Sequence, residues 1–469
     1  MRHGLDPRTL DIYEEMVLNF IYRFLPKPSV SVAATLSCAA ADAEKRDGVD
    51  RISGLPDDLL RCVVACLPAK DGARTAVLST RWRGLWCSVP LVLVDTHFLP
   101  RGGAEGRPPS PGFVSHAVRR AVSDALRAHP GPFPFLAFVN RPTPLIDLRI
   151  PAALFSCASL RRLYLGAWIF VDTATLPHGA SFPSLQELVL GAIVLEDRDL
   201  DFLLSASPVL EILTFIGSGL RARLASHSLR CAQFCLCFVE EVSVLDAPCL
   251  ERLFIWRCPS SSVRVKIGHA PQLRMLGYLE PGVHVLEIGN TVIKSTTKPS
   301  PKTTVPSVRM LALDLQFRIH NEVKMLPSFL RCFPNVETLC IQSEKPVEPT
   351  DCLNVKFWEE AGPIKCVQSN LKRLMLREFH GDDNEFAFLM YIAENAKVLE
   401  SMVLVMGLRR HSEPEQMAAR MKALDNARWA CGSSKLRYMI SQLGEEEGSV
   451  WNFTVASDFM WNDPFFCGV

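Results

Sequence analysis

Between positions 145 and 404 the apolar residues recur in one phase. A leucine-type residue is followed by apolar residues three and five places later, first as Leu160/Leu163/Leu165, Leu185/Leu188/Leu190, Leu210/Leu213/Phe215, Leu250/Leu253/Ile255 and Leu273/Leu276/Tyr278. The series resumes as Val308/Leu311/Leu313, Val336/Leu339/Ile341, Leu371/Leu374/Leu376 and Leu399/Met402/Leu404. Residues two apart in a strand share a face, so the last two positions of each triplet point the same way. Several triplets open on a proline, as in Phe182-Pro183-Ser184-Leu185, Ala247-Pro248-Cys249-Leu250 and Phe333-Pro334-Asn335-Val336.

The shorter intervals, of about 25 residues, match one leucine-rich unit. Longer ones predict a degenerate unit around Leu229, or loop insertions. Stretches such as Asp197 to Ser205 read as helices, so each unit is expected to run strand, loop, helix. One unit cannot bury its apolar face alone. Stacking buries it, with each inward leucine contributing about 1.5 to 3 kcal/mol. An ordinary α/β domain would not repeat the phase nine times.

Ahead of this region, from Asp50 to Trp86, the period is helical. Pro56 suits a first helical turn, and Asp57 and Asp58 follow where acids complement the helix dipole. Leu59, Leu60, Val63, Val64 and Leu67 form one apolar stripe, which Pro68 ends. Asp71 is expected to cap a second helix running to about Leu78. Ser79 or Thr80 should cap a third, which carries Trp82, Leu85 and Trp86. Three helices in about forty residues supply little core, so part of their apolar surface is expected to meet a partner.

Two polar, Gly- and Pro-containing segments, Pro100 to Gly112 and Asn290 to Pro306, read as linkers. Val114 to His129 reads as a helix capping the repeats. In residues 1–48, Met16 to Leu25 is apolar, but Asp6, Asp11, Glu14 and Glu15 precede it, which argues against a secretory signal. With Asn19 and Arg23 inside it, the stretch also falls short of a membrane span of about 20 apolar residues. A short amphipathic helix or a flexible extension is expected there.

Across 469 residues, 48% hydrophobic and 22% charged with a formal net charge of +1, no overall field draws the chain to nucleic acid or an acidic membrane. Its partners are expected to be proteins. The 16 cysteines include no Cys-x-x-Cys pair, so buried reduced thiols are expected rather than a disulfide framework or a zinc site. Lys70, Arg74, Arg81 and Arg83 read as a solvated face. Asp382, Asp383 and Glu385 read as the cap of a helix from Asp383 to Asn395 rather than a cation site. No nucleotide-loop, zinc-protease or serine-hydrolase motif is found, and no cofactor and no catalytic residue is assigned.

The register Asp50-Arg51-Ile52-Ser53, Leu55-Pro56-Asp57-Asp58-Leu59-Leu60, Leu67-Pro68-x-Lys70-Asp71 and Arg74-Thr75-x-x-Leu78-Ser79-x-Arg81-Trp82-Arg83-x-Leu85-Trp86 closely resembles the plant F-box family. A second resemblance, to the FBD module of plant F-box proteins, rests on Ile364-Lys365-Cys366-Val367, Leu371-Lys372, Phe379-His380-Gly381, Glu385, Tyr391 to Ala396 and Leu399-Glu400. The resemblance implies an α/β chain: a three-helix F-box at 49–90, linker and cap at 91–144, a leucine-rich-repeat solenoid at 145–361, FBD-like repeats at 362–443 and a tail at 444–469. It implies that Leu55, Pro56, Leu59, Leu60, Val63, Leu67, Leu78, Trp82, Leu85 and Trp86 lie on or support a surface that binds a Skp-type adaptor, itself held by a cullin. The expected function is the substrate-recognition subunit of a ubiquitin ligase in the nucleus or cytoplasm, with an unknown protein target. The alternatives are a repeat scaffold without ligase activity and an enzyme of unrecognised type.

Overall fold

The repeating triplets, Tyr278 excepted, place their second and third residues inside a stack of parallel strands. The computed structural model describes Val17; residues 52–67, 69–89, 91–94, 120, 123–124, 126, 135–139, 149–151, 154–155, 157–176, 178–259, 262–343, 357–406, 414–432, 436–440 and 452–466. They divide into two compact units, 1–219 and 220–469.

The first unit begins with three helices, α1 (Asp57–Ala65), α2 (Ala69–Thr75) and α3 (Thr80–Ser88). A parallel sheet follows in the order β1 (Leu91–Val94), β2 (Phe135–Val139), β3 (Arg162–Gly166), β4 (Glu187–Gly191) and β5 (Ile212–Ile216). Leu163, Leu188 and Leu213 stand in register, as do Leu165, Leu190 and Phe215, and all six are buried. α4 (Asp197–Ala206) returns the chain between β4 and β5, and Leu200, Leu203 and Leu204 on one side of it are buried. The sheet thus starts earlier than position 145, since β1 and β2 fall in the stretch expected to be linker and cap. The linker at 100–112 lies outside the described residues. Within 114–129, the described positions 120, 123, 124 and 126 are helical, and Leu126 is buried. Of the extension at 1–48, expected to be a short amphipathic helix or flexible, Val17 is helical and buried, which fits the first alternative at that position.

The second unit carries β7 (Cys231–Cys235), β9 (Arg252–Trp256), β11 (Met275–Leu279), β14 (Met310–Leu315), β15 (Thr338–Ser343), β16 (Arg373–Phe379), β17 (Ser401–Met406) and β18 (Leu436–Ile440) in one parallel order. Ala232, Leu253, Leu276, Leu311, Leu339, Leu374, Met402 and Leu436 form one cross-strand ladder. The degenerate unit around Leu229 is therefore real: Leu229, Ala232 and Phe234 repeat the triplet and are buried. One residue before β3, β4, β7, β9, β11, β14, β15 and β16, a carbonyl accepts two amides from the next unit, as Arg309 does from Glu337 and Thr338 and Glu337 does from Lys372 and Arg373.

Strand, loop, helix does not describe every unit. From 219 to 292 the return elements are strands: β6 (Gly219–Ala225), β8 (Phe238–Asp246), β10 (Arg264–His269), β12 (Val285–Ile288) and β13 (Thr291–Val292) form a second sheet in the order β13-β12-β10-β8-β6. Period 2 decides this, because Gly-Leu-Arg-Ala-Arg-Leu-Ala alternates buried and exposed along β6, which no helix could do. Helices resume with α5 (His320–Cys332), α6 (Phe357–Ala361), α7 (Lys365–Ser369), α8 (Asp383–Asn395) and α9 (Pro414–Asp425).

The stretch 290–306 is not a linker. β13 pairs antiparallel with β12, and Ile293, Thr303 and Val305 are buried. Thr303 Oγ1 accepts from the Ser300 amide at 2.8 Å, and Ser328 of α5 donates to the Ser295 carbonyl at 2.9 Å. Hydroxyl side chains close on the backbone here and replace the apolar anchors that a linker lacks. Within the tail, α10 (Phe453–Ser457) belongs to a packed segment, 452–466. Among the described residues no helix is long and apolar enough to cross a membrane.

Candidate adaptor-binding surface

α1 starts on Pro56, whose φ of −58° suits a helix entry, with Asp57 and Asp58 in its first turn. No side chain caps it. α3 is capped by Ser79, whose hydroxyl accepts from the Trp82 amide at 3.3 Å, as its sequence predicts. Asp71, expected as the cap of α2, instead sits inside its first turn and pairs with Arg74 at 2.7 Å. α2 also ends at Thr75, so Val77 and Leu78 occupy the turn before α3.

These three helices close on a small core. Leu60 and Val64 face inward from α1, and Trp82, Leu85 and Trp86 from α3. α2 crosses close to Trp86, because a β-carbon at Gly72 would lie 2.7 Å from the indole ring. Arg81 fastens the start of the segment: it donates to the Asp57 carboxylate at 2.7 Å and to the Leu55 carbonyl at 2.6 Å.

The core leaves several large apolar side chains outside. Leu59 is 52% exposed, Val63 45% and Leu78 66%. Leu59 and Val63 share one side of α1, one turn apart. Pro56 is exposed, and Leu55 and Leu67 are half-buried. The ten residues singled out in the sequence therefore split: Leu60, Trp82, Leu85 and Trp86 build the core, and the other six lie wholly or partly on the surface. Ile52 and Val77 are exposed as well, and the sequence reading missed them because neither belongs to a helical stripe. Of the twelve large hydrophobic side chains left exposed among the described residues, five fall between 52 and 78.

Nothing in this region points to covalent chemistry. Cys62 is exposed, but Cys66 one turn on is pushed up by burial and by its neighbour Cys62. Deeper in the chain, burial pushes the thiols of Cys366 and Cys332 up to about 12 and that of Cys340 up to about 11, so they stay protonated and serve as packing.

The acid cluster before α8 is consumed by its own helix. The Asp382 side chain accepts from the Glu385 amide at 3.0 Å, and Glu385 accepts from the amides of Gly381 at 2.7 Å and Asp382 at 3.0 Å and from Ser343 Oγ at 2.6 Å. Arg318 pairs with Asp382 at 3.1 Å, and Arg420 with Asp383. This is the capping role that the sequence predicts, doubled into a capping box.

Three family models match the chain. The F-box domain covers residues 52–93, the LRR repeats of "FBD-associated F-box protein At5g56370" cover 135–341, and FBD covers 359–404. Relatives in Arabidopsis thaliana include the putative F-box/FBD/LRR-repeat protein At3g49480, 26% identical over 76% of this chain and 90% of its own length. F-box/LRR-repeat protein 13 of the same plant is 27% identical over 77% of this chain and 91% of its length. F-box domains generally bind Skp-type adaptors, and F-box/LRR proteins are generally adaptors rather than catalysts. The three helices with their exposed apolar side, the leucine ladder and the capped α8 are the F-box, repeat and FBD parts of one architecture, and the chain belongs to the plant F-box/FBD/LRR-repeat family.

Proposed function

We propose that this chain is the substrate-recognition subunit of an SCF-type cullin-RING ubiquitin ligase, acting in the nucleus or cytosol. The F-box docks a Skp-type adaptor, the adaptor joins the cullin, and the repeats hold a target protein for ubiquitination. Ubiquitin transfer then belongs to other subunits, and this chain contributes position rather than chemistry.

One observation supports this above the others: the helices keep their tryptophans inside and leave Leu59, Val63 and Leu78 in water. Exposed side chains of that size contribute little to folding and a good deal to binding, since a buried interface anchor is worth about 2 kcal/mol or more.

The test is capture of a purified Skp-type protein by the full chain and by the Leu55→Ala/Pro56→Ala variant. Each anchor lost weakens binding by about 25-fold or more, so the double variant should abolish capture. Equal capture by the two would remove this surface from the reading, and no capture by either would favour a repeat scaffold without ligase activity.

A further inference from the structure

The residues 452–466 lie on the side of the second unit's parallel sheet opposite the leucine ladder. Gln233, Arg252 and Arg377 sit on that side, in alternation with the ladder residues Ala232, Leu253 and Leu374/Leu376. Polar side chains pointing away from a repeat core are ordinarily wet. Here all three are buried.

Each sends at least one donor to the main chain of the segment, although Arg377 Nε donates to Met375 Sδ at 3.2 Å. Gln233 Nε2 donates to the Phe453 carbonyl at 3.0 Å. Arg252 donates to the carbonyls of Ala456 at 2.8 Å, Asp458 at 3.0 Å and Trp461 at 2.8 Å. Arg377 donates to that of Phe465 at 2.6 Å. Side chains reading a run of carbonyls is how a protein holds a peptide ligand rather than how it builds a core.

Three side chains of the segment add selectivity. The Phe465 ring is buried edge-on against Phe254 and Tyr278, with centroids 5.7 Å away in each case. Phe459 lies under the guanidinium of Arg230 at 3.6 Å. Asp463 pairs with Arg373 at 3.2 Å. If the segment left, Arg252, Arg377 and Gln233 would meet water instead of being stranded in an apolar interior, so the face can be emptied without orphaning a polar group.

We infer that this face is a peptide-binding site whose resident ligand is 452–466, and that it accepts in exchange a partner segment with the same features: two phenylalanines, an acid two positions before the second, and main-chain carbonyls free to accept. The inference rests on the reading of the repeats as the target-holding part only for who brings the exchanging segment. The site itself stands on the contacts above.

The experiment uses the full chain with a protease recognition sequence inserted between 440 and 452, and a fluorescent peptide spanning 452–466 as probe. After cleavage the peptide should bind saturably at one site. The uncleaved chain should bind it at least about 10-fold more weakly, because its tethered copy competes at high effective concentration. A Phe465→Ala peptide should lose about 10-fold or more against the cleaved protein, and Arg377→Met in the protein should weaken the unaltered peptide similarly. The inference falls if cleavage unfolds the second unit, if the cleaved piece never exchanges, or if the Phe465→Ala peptide binds equally well. Adaptor capture by the same preparations depends on the F-box, so failure of either reading leaves the other intact.

Discussion

Arg81 of α3 reaches back to Asp57 of α1 at 2.7 Å and, from the same guanidinium, to the carbonyl of Leu55 at 2.6 Å. An ion pair this exposed is worth under about 1 kcal/mol for stability. Its effect is to fix the turn that presents Leu55 and Pro56. Arg81→Ala is therefore expected to shift the melting temperature little while weakening capture of a Skp-type adaptor by about 10-fold, roughly 1.4 kcal/mol. Arg81→Lys should recover only part of this, because one ammonium cannot serve carboxylate and carbonyl with a planar fork. Calorimetric titration beside a thermal melt distinguishes the two effects.

Leu59 and Leu60 are neighbours with opposite roles, one in water and one in the core. Leu60→Ala should destabilise the F-box by about 2 to 5 kcal/mol, and its adaptor affinity should fall because the helices no longer close. Leu59→Ala should leave the melt within about 0.5 kcal/mol of the parent while weakening capture. Equal destabilisation by both would place α1 in the wrong rotation.

Leu188 stands in register between Leu163 and Leu213, fully buried, whereas Gln186 is exposed just before the strand. Denaturant unfolding should show a loss of about 2 to 5 kcal/mol for Leu188→Ala and almost none for Gln186→Ala.

That strand register could be read from the chain because inward packing demands apolar residues at fixed phase and tolerates few exceptions. Even the degenerate copy at Leu229, Ala232 and Phe234 kept the phase. Other features gave no periodic signal. The order at 290–306 rests on Ser and Thr hydroxyls closing on the backbone, a composition that reads equally well as linker. Phe465 stands in the short run Phe465-Phe466-Cys467, outside the repeat phase, and its partners, Phe254 and Tyr278, are remote in sequence. Tyr278 itself was expected to point inward, but the strand register shifts between Leu276 and Leu279 and its ring meets Phe465 instead. In the F-box the apolar stripe was wide enough to include both Leu59 and Leu60, and only packing decides which of two adjacent leucines turns inward.

His284 is buried, and its Nδ1 accepts from the Glu280 amide at 3.1 Å, which requires that nitrogen to be unprotonated. Burial pushes its pKa down to about 4 from 6.5. Between those values the unfolded chain binds a proton that the folded chain refuses, so stability is complete above about pH 6.5 and declines as pH falls through the window. From pH 7 to pH 5 the second unit should lose about 2 kcal/mol, visible as an earlier urea midpoint. His284→Gln should remove most of that dependence, and an unchanged slope would assign the acid sensitivity elsewhere.

Gly217 follows β5 with a φ of +60°, and Ala167 and Ala192 hold the same left-handed place after β3 and β4, at φ 57° and 46°. Alanine is thus accepted at this position of the repeat, and backbone conformation alone does not explain the glycine. Val17 does: a β-carbon at 217 would stand 2.5 Å from one of its methyl groups and 2.8 Å from the other. Gly217→Ala should then destabilise the first unit by about 1 to 3 kcal/mol through overpacking, in addition to any left-handed strain. Val17→Ala removes both methyls and leaves its own β-carbon at 3.2 Å, a tight contact that a small shift relieves. In the Val17→Ala background the same glycine substitution should be milder by about 1 kcal/mol, a coupling large enough for a double-mutant cycle to resolve. Strict additivity would mean that Val17 does not pack on the end of β5.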